Sequence, residues 1–188
     1  MKLNSKTIAR IVIFSAFTIV LNLSPIKIPA PYAPFLIYQI WEIPIVAALL
    51  LYGIGVGVLI ALINTIILVV VFPGALPTGP MYNFAAVLSM LLGISITKFL
   101  VERHSPKNEA FLATLFTTSG SVLRTGVMAL VNWALLRFPP PVGYGMPEEA
   151  IIATIPLVAI FNVTLALYTI PIGYSLAKIV KSNLKTFQ

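Results

Sequence analysis

Long apolar stretches, broken by short segments rich in proline, glycine or charge, constrain this chain more than any other feature. The sequence is 59% hydrophobic and only 9% charged, whereas an ordinary soluble domain is about 25% charged. About 20 helical residues cross the roughly 30 Å hydrocarbon core of a bilayer. The apolar stretches do not alternate as the strands of a membrane barrel must. The sequence therefore predicts an all-α integral membrane protein.

The breaks divide the chain into six candidate spans within a single membrane domain, residues 1–188. These spans cover approximately residues 7–23, 36–52, 54–72, 81–100, 110–136 and 150–179. Proline-rich loops cover residues 25–35, 73–80 and 138–149. Basic residues before the first apolar stretch would also suit a signal peptide, although residues 24–29 offer no small-x-small cleavage site. We predict a six-transmembrane-helix bundle.

The lysine and arginine residues indicate how the bundle is oriented. With six spans the two termini share a side, and that side would collect nine basic residues against Lys27 and Arg137 on the other. The nine are Lys2, Lys6, Arg10, Lys98, Arg103, Lys107, Lys178, Lys181 and Lys185. The positive-inside rule then places both termini in the cytoplasm, in a multi-pass protein of the cytoplasmic membrane. The net charge of +7 reflects helix ends, so no nucleic acid partner is expected.

Two charged residues, Glu42 and Arg124, lie within predicted spans away from their cytoplasmic ends. A charge at the centre of a bilayer costs about 2.5–3.5 kcal/mol on insertion scales, so such residues normally face a cavity or a partner. Glu42 is predicted about one and a half turns into the second helix, where Pro44 should cause a kink. Arg124 is predicted near the middle of the fifth helix. A structural ion pair between them and a ligand site lined by one or both remain open, and the two can hold together.

Five asparagines also lie within spans. For Asn22 and Asn64 hydrogen bonds between helices are the favoured interpretation. Asn83, Asn132 and Asn162 instead fall in the outer half of the bundle, as Glu42 and Tyr38 do. Four helices thus bring polar groups towards the outer side, as a polar ligand entering from outside would need.

The fifth helix carries its polar residues on one face. Arg124, Met128 and Asn132 are spaced i, i+4, i+8, so they share that face. Trp133 and Tyr38 have rings that could stack on a planar ligand. An aromatic belt at the outer membrane interface is the alternative interpretation of these two rings.

Several kinds of chemistry are missing from the sequence. The chain has no cysteine and no aspartate, and the glycines from Gly53 to Gly57 are not followed by the Gly-Lys-Ser/Thr of a nucleotide loop. It also lacks a His-Glu-x-x-His motif. We therefore predict that it is not an enzyme and that it borrows energy from partner proteins.

Four segments, taken in order, resemble the riboflavin-specific S components of energy-coupling factor (ECF) transporters. They are Phe35-Leu36-Ile37-Tyr38-Gln39-Ile40-Trp41-Glu42-Ile43-Pro44, Thr78-Gly79-Pro80-Met81-Tyr82-Asn83-Phe84, Arg124-x-x-x-Met128-x-x-x-Asn132 and Ile160-Phe161-Asn162. The family typically has Phe-Leu-Lys-Tyr-Asp-x-Ser-Asp-x-Pro in the first segment and a lysine three residues after the last asparagine. Here the two lysine positions are Ile37 and Leu165.

The resemblance implies a six-helix substrate binder that docks on a transmembrane coupling protein and two ABC-type ATPases in the lipid bilayer. It implies riboflavin as the transported ligand, with no resident cofactor and no metal. The implied ligand-binding residues are Tyr38, Glu42, Asn83, Met128, Asn132, Trp133 and Asn162. Arg124 would support them by fixing Glu42 or an asparagine, and the loops 25–35 and after Phe72 would cover the site.

Small side chains on the first helix usually form the docking surface for the coupling protein in this family. Ala9, Ser15 and Ala16 are the candidates here. Two alternatives to riboflavin binding remain. One is an S component for another vitamin, such as biotin, thiamine or a queuosine precursor. The other is a membrane scaffold or assembly protein whose asparagines only join helices.

Overall fold

The computed structural model describes residues 4–71, 76–102 and 108–186. In order, the elements are α1 (Ser5–Leu23), β1 (Ile28–Ala30), β2 (Ala33–Tyr38), α2 (Ile43–Tyr52), α3 (Ile54–Val71), α4 (Gly79–Glu102), α5 (Glu109–Leu135) and α6 (Glu148–Thr186). Six helices are therefore present in the described part of the chain, as predicted. Phe72, the start of loop 73–80, Arg103 and Lys107 lie outside the described residues.

Asparagine side chains cap the N-termini of two helices. Asn4 Oδ1 accepts a hydrogen bond from the Thr7 backbone N–H at 2.8 Å, and Asn108 Oδ1 accepts from that of Phe111 at 3.1 Å. Each bond satisfies one of the N–H groups that the first helical turn leaves free. Gly53 separates α2 from α3 with a φ of +94°, a conformation that residues with a Cβ rarely adopt. These local signals set where the helices begin and turn.

The prediction of a helix over residues 36–52 is wrong in its first part. Residues 33–38 form strand β2, which pairs antiparallel with β1 in the register Ile28↔Tyr38 and Pro29↔Ile37. Helix α2 begins only at Ile43 and has 10 residues. Pro44 lies in its first turn, where the missing N–H costs nothing, so it starts the helix instead of kinking it. The expectation that the chain contains no strands is corrected by this hairpin.

Close contacts between helices hold the bundle together. α5 packs between α4 and α6, while α2 packs against α6 and α3. A Cβ on Gly93 of α4 would lie 2.5 Å from the Ser119 carbonyl oxygen of α5, so only glycine allows the two backbones to approach this closely. Ile45, Ile60 and Leu91 are fully buried in the central core that α2, α3 and α4 share.

Four of the described helices are long and apolar enough to cross a membrane: α1, α3, residues Gly79–Val101 of α4 and residues Glu148–Asn183 of α6. With 10 residues, α2 spans about 15 Å, roughly half of the hydrocarbon core. α5 has 27 residues but carries many hydroxyl groups, Arg124 and Asn132. The chain is thus a helical, multi-pass membrane protein in which α2 reaches only part of the way across.

Candidate functional site

A buried ion pair joins the start of α2 to the middle of α5. Arg124 donates from Nη1 to Glu42 Oε2 at 2.5 Å and from Nη2 to Glu42 Oε1 at 3.1 Å. The two residues are 2% and 3% exposed. Two parallel bonds of this kind fix the orientation of both groups. Of the two interpretations left open by the sequence, the ion pair is therefore present.

Further contacts surround the guanidinium group of Arg124. Its Nε donates to Asn162 Oδ1 at 2.8 Å, and Nη1 also approaches Met90 Sδ at 3.7 Å. Asn162 Nδ2 in turn donates to the Val158 carbonyl oxygen at 2.8 Å. The network joins α2, α4, α5 and α6. Because a buried ion is tolerated only when its donors and acceptors have partners, these bonds explain how two charges persist inside the bundle.

The position of Glu42 follows from the local fold. Glu42 is the residue directly before α2, and its carbonyl oxygen accepts the first helical hydrogen bond, from Val46 N–H at 3.1 Å. The free N–H groups at a helix N-terminus carry partial positive charge, which favours a carboxylate there. Glu42 therefore lies at the start of a helix and not one and a half turns inside it. The side chain is still buried, as the sequence prediction required.

A small apolar cluster lies one helical turn from this network. Ala86 of α4, Met128 of α5 and Val158 of α6 are buried together, and Leu36 of β2 packs against them. We call the region where these four side chains pack against one another the hairpin cleft. Asn132, one turn after Met128, donates from Nδ2 to the Met128 carbonyl oxygen at 2.7 Å. A strand residue thus fills the space between three helices.

Aromatic side chains hold the end of β2 against α6. The Tyr38 ring lies 4.9 Å from that of Phe161 and 6.5 Å from that of Tyr168. Tyr168 donates from Oη to the Gln39 carbonyl oxygen at 2.6 Å, which satisfies an acceptor in the non-helical segment before α2. A groove of about 280 Å³ runs along this contact, lined by Ile26, Ile28, Tyr38, Gln39, Ile40, Thr164 and Tyr168.

A hydrogen bond between two tyrosines joins the turn of the hairpin to the end of β2. The Tyr32 and Tyr38 hydroxyl oxygens are 2.5 Å apart and share a hydrogen bond. Partial burial, and then the bond and the charge interaction with Tyr38, raise the pKa of Tyr32 to about 12. The bond links the turn of the hairpin to the residue that contacts α6.

Two of the predicted ligand-binding residues do not join this site. Asn83 is exposed in the first turns of α4. Trp133 is 48% exposed, and the Arg137 guanidinium lies 4.7 Å from the centroid of its ring. Successive helical residues point about 100° apart, so Trp133 cannot share the buried face of Asn132. Its exposed position suits the aromatic belt, the alternative interpretation of this residue.

The predicted docking residues divide between two faces of α1. Ala9 and Ala16 are exposed, so they remain available to a partner. Ser15 is 5% exposed and faces the other helices of the bundle. Ser15 shares the buried face of Ile11, Thr18 and Asn22, so it does not lie on the exposed face of α1 that carries Ala9 and Ala16.

Ile37 and Leu165 occupy the two positions where the resembling family has lysine, and they differ in exposure. Ile37 is 36% exposed on β2, and Leu165 is 3% exposed on α6. Leu165 is therefore an interior apolar residue. The charges that line this region come from Glu42 and Arg124, which neutralise each other.

Sequence reasoning missed three residues that shape the site. Leu36 fills the hairpin cleft, Tyr168 bonds the Gln39 backbone, and Met90 contacts Arg124. Leu36 and Met90 are ordinary apolar residues in apolar stretches, and nothing in their sequence context separates them from core residues. Tyr168 was recognisable as a hydroxyl-bearing residue within a predicted membrane span, where its hydroxyl needs a partner.

Comparison with known proteins supports a class for this fold and site. No family model matches the chain, and no curated protein matches it. Among solved structures, the chain is similar to the S component of a bacterial ECF transporter, with a TM-score of 0.73 and 25% sequence identity. The alignment covers 96% of this chain and 98% of that chain. The likeness supports the S-component class that the sequence segments indicated.

A transporter component as structural neighbour also agrees with the prediction that the chain is not an enzyme. Within residues 4–71, 76–102 and 108–186, no group of three or more His, Asp or Glu side chains could hold a metal ion.

Proposed function

We propose that this chain is the substrate-binding S component of an ECF-type vitamin importer and that its cargo is riboflavin. The observation that carries the S-component class is the shared fold over nearly the whole of both chains. The choice of riboflavin rests on the four sequence segments, three of which bring Leu36, Met128 and Asn162 to or beside the hairpin cleft.

The proposal implies partners and an orientation. A transmembrane coupling protein and two ATPases would supply the energy. The hairpin and the segment 136–147 would face outward, with both termini in the cytoplasm. This orientation is supported by the distribution of basic residues, of which Lys27 and Arg137 alone fall on the proposed outer side.

We propose that the flavin ring enters the hairpin cleft and replaces Leu36. Asn132 is the most available polar group there, since its Nδ2 is bonded only to a carbonyl of its own helix. Asn162 and Glu42 already accept hydrogen bonds from Arg124. To contact the ring edge or the ribityl hydroxyls as well, their oxygens would have to accept from Arg124 and from the ligand at the same time. Asn83 is exposed on α4 and Trp133 points about 100° away from Asn132 on α5, so neither is proposed to contact the ring there.

Purified protein tests the proposal directly. A riboflavin-binding chain would co-purify as a yellow protein whose bound flavin has quenched fluorescence, and added riboflavin would titrate to a single saturable site. A colourless protein without affinity for riboflavin would refute riboflavin as the cargo. Binding of biotin, thiamine or a queuosine precursor by the same protein would then identify another vitamin within the same class.

Two asparagine variants separate a ligand site from a scaffold. Asn132→Leu should weaken riboflavin binding at least tenfold and leave the unfolding midpoint nearly unchanged, because its bond lies within one helix. Asn22→Leu is the matched control, since Asn22 is a buried residue of α1 that donates a hydrogen bond to Asn64 of α3. It should lower the midpoint without changing riboflavin affinity. Riboflavin binding that Asn132→Leu leaves unchanged would refute Asn132 as a ligand contact, and a parent chain that binds no vitamin would favour a scaffold whose asparagines only join helices.

A further inference from the structure

Helix α1 turns its polar residues inward. It buries Ile11, Ser15, Thr18 and Asn22, so three of its four buried residues are polar. Its exposed residues include Val12, Ile13 and Val20, each more than half exposed. An apolar outer face suits lipid. Burial of the polar inner face is energetically unfavourable unless each of its groups has a hydrogen-bond partner, because a buried hydroxyl or amide without one costs about 1–3 kcal/mol.

One direct bond connects this polar face to α3. Asn22 Nδ2 donates to Asn64 Oδ1 at 3.1 Å, which confirms the interhelical bonding predicted for these two asparagines. Asn64 is 1% exposed. The bond joins α1 to α3 at Asn22, and Ser15 and Thr18 lie on the same side of α1 as Asn22 because the three follow one another at i, i+3 and i+7.

Three buried polar atoms on α1 and α3, two helices that pack against each other, remain without a partner in the described part of the chain. They are Ser15 Oγ, Thr18 Oγ1 and Asn64 Nδ2, none of which is hydrogen-bonded to any residue that the structure describes. Thr18 is fully buried and Ser15 is 5% exposed. The three atoms supply two hydroxyls and an amide donor on facing helices. Buried waters typically make about three hydrogen bonds to groups of this kind.

We propose that the interface between α1 and α3 is a binding site for internal water, held by Ser15, Thr18 and Asn64. A water can accept from the Asn64 amide and exchange hydrogen bonds with the two hydroxyls. The site is separate from the Glu42–Arg124–Asn162 network and does not depend on the nature of the cargo. Water then connects α1 to the bundle alongside the single Asn22–Asn64 bond.

The variant Thr18→Val tests the site through the sign of its effect on stability. Valine has nearly the volume of threonine and removes only the hydroxyl. If water is bound, its loss of a partner should lower the folded-to-unfolded ratio about fivefold, the effect of one net hydrogen bond. If the interface is dry, valine removes an unpaired polar group, and the ratio should rise or stay the same. The second result would overturn the proposal.

Two further variants sharpen the comparison. Thr18→Ser keeps the hydroxyl and should remain more stable than Thr18→Val. Thr65→Val is the matched control, because Thr65 is 3% exposed on α3 but donates to the Ala61 carbonyl of its own helix at 2.8 Å. It should change the ratio less than twofold, because the Ala61 carbonyl keeps its backbone hydrogen bond within the helix and no buried group loses its last partner. An equal loss in Thr65→Val and Thr18→Val would show a general effect of removing hydroxyls and would also overturn the proposal.

A crystal structure that resolves ordered water gives an independent answer. Density for a water within hydrogen-bonding distance of Thr18 Oγ1 and Asn64 Nδ2, absent from Thr18→Val, would support the site. A Thr18 hydroxyl bonded to the Phe14 carbonyl, one helical turn earlier, with no water between the helices would overturn it.

Discussion

Replacing Glu42 by glutamine should expose how much the bundle depends on its buried ion pair. Glutamine has almost the same size, so Glu42→Gln removes the charge and little else. Arg124 would keep its bond to Asn162 but would lose the carboxylate that now accepts two of its donors. The result is a cation that is 2% exposed and has no counter-charge in contact.

The expected cost can be estimated in two ways. Removing one member of a buried ion pair typically costs about 3–5 kcal/mol. Placing an arginine at the centre of a membrane helix costs about 2.5–3.5 kcal/mol on insertion scales. The two ranges overlap near 3 kcal/mol, which is about a hundredfold in the folded-to-unfolded ratio. Removing both charges in Glu42→Leu/Arg124→Leu should recover most of this loss, because apolar replacement of a whole buried pair is often neutral.

Reversible unfolding in detergent, followed by tryptophan fluorescence, measures these differences. Trp41 is 4% exposed and directly precedes Glu42, so its emission should report on this region. Glu109→Gln is the matched control, since Glu109 pairs with Lys178 on the surface, where an ion pair is worth at most about 1 kcal/mol. A Glu42→Gln variant within 1 kcal/mol of the parent, or a double variant less stable than Glu42→Gln, would refute the reasoning.

Two other predictions follow from the packing and from the hairpin. Gly93→Ala should destabilise the bundle by at least about 2 kcal/mol, because the added Cβ would lie 2.5 Å from the Ser119 carbonyl oxygen and the two backbones must separate. Gly126→Ala, which has nothing within 4 Å of its added Cβ, is the control, and equal unfolding midpoints for the two variants would contradict the prediction. The pKa of Tyr32 is raised to about 12, so its contribution to hairpin stability is present below pH 10 and is lost as the pH rises from 10 to 12. Amide exchange in residues 28–38 should accelerate over that pH range beyond its intrinsic rate, and a Tyr32→Phe variant with the same extra acceleration would exclude Tyr32 as the cause.

Most helix boundaries were predictable because they coincide with strong local signals. The third helix was predicted over 54–72 and is described as Ile54–Val71. The fifth was predicted over 110–136 and runs from Glu109 to Leu135. Gly53 before the third helix, and Asn108 before the fifth, mark these starts by backbone freedom and by capping. Continuous apolar runs between such markers have few alternatives in a membrane.

The hairpin was not predictable from the apolar pattern. A short apolar run suits a buried helix and a buried strand equally well, and its pairing with residues 28–30 depends on a second segment. Pro44 was the signal that could have corrected the boundary, since proline is favoured in the first turn of a helix and costly in its interior. The interpretation of residues 36–42 as helix placed Tyr38 and Glu42 on the wrong kind of element.

The candidate site was partly predictable. Glu42 and Arg124 could be named because charged residues in membrane spans are few and need partners. Asn162 could be named because its amide lies within an apolar span. The Leu36 contacts, and the bond from Tyr168 to the Gln39 backbone, depend on where the hairpin folds back. No local pattern encodes that position, so these contacts required the structure.

The ion pair also limits how far the hairpin can travel. Glu42 is fastened to α5 through Arg124, and only Gln39, Ile40 and Trp41 separate it from the end of β2 at Tyr38. Four residue steps of extended chain reach about 13–14 Å. With Glu42 held in place, the end of β2 at Tyr38 therefore cannot lie farther than this from the start of α2. The ion pair thus anchors one end of the segment that follows the hairpin, and the length of that segment sets the upper limit on their separation.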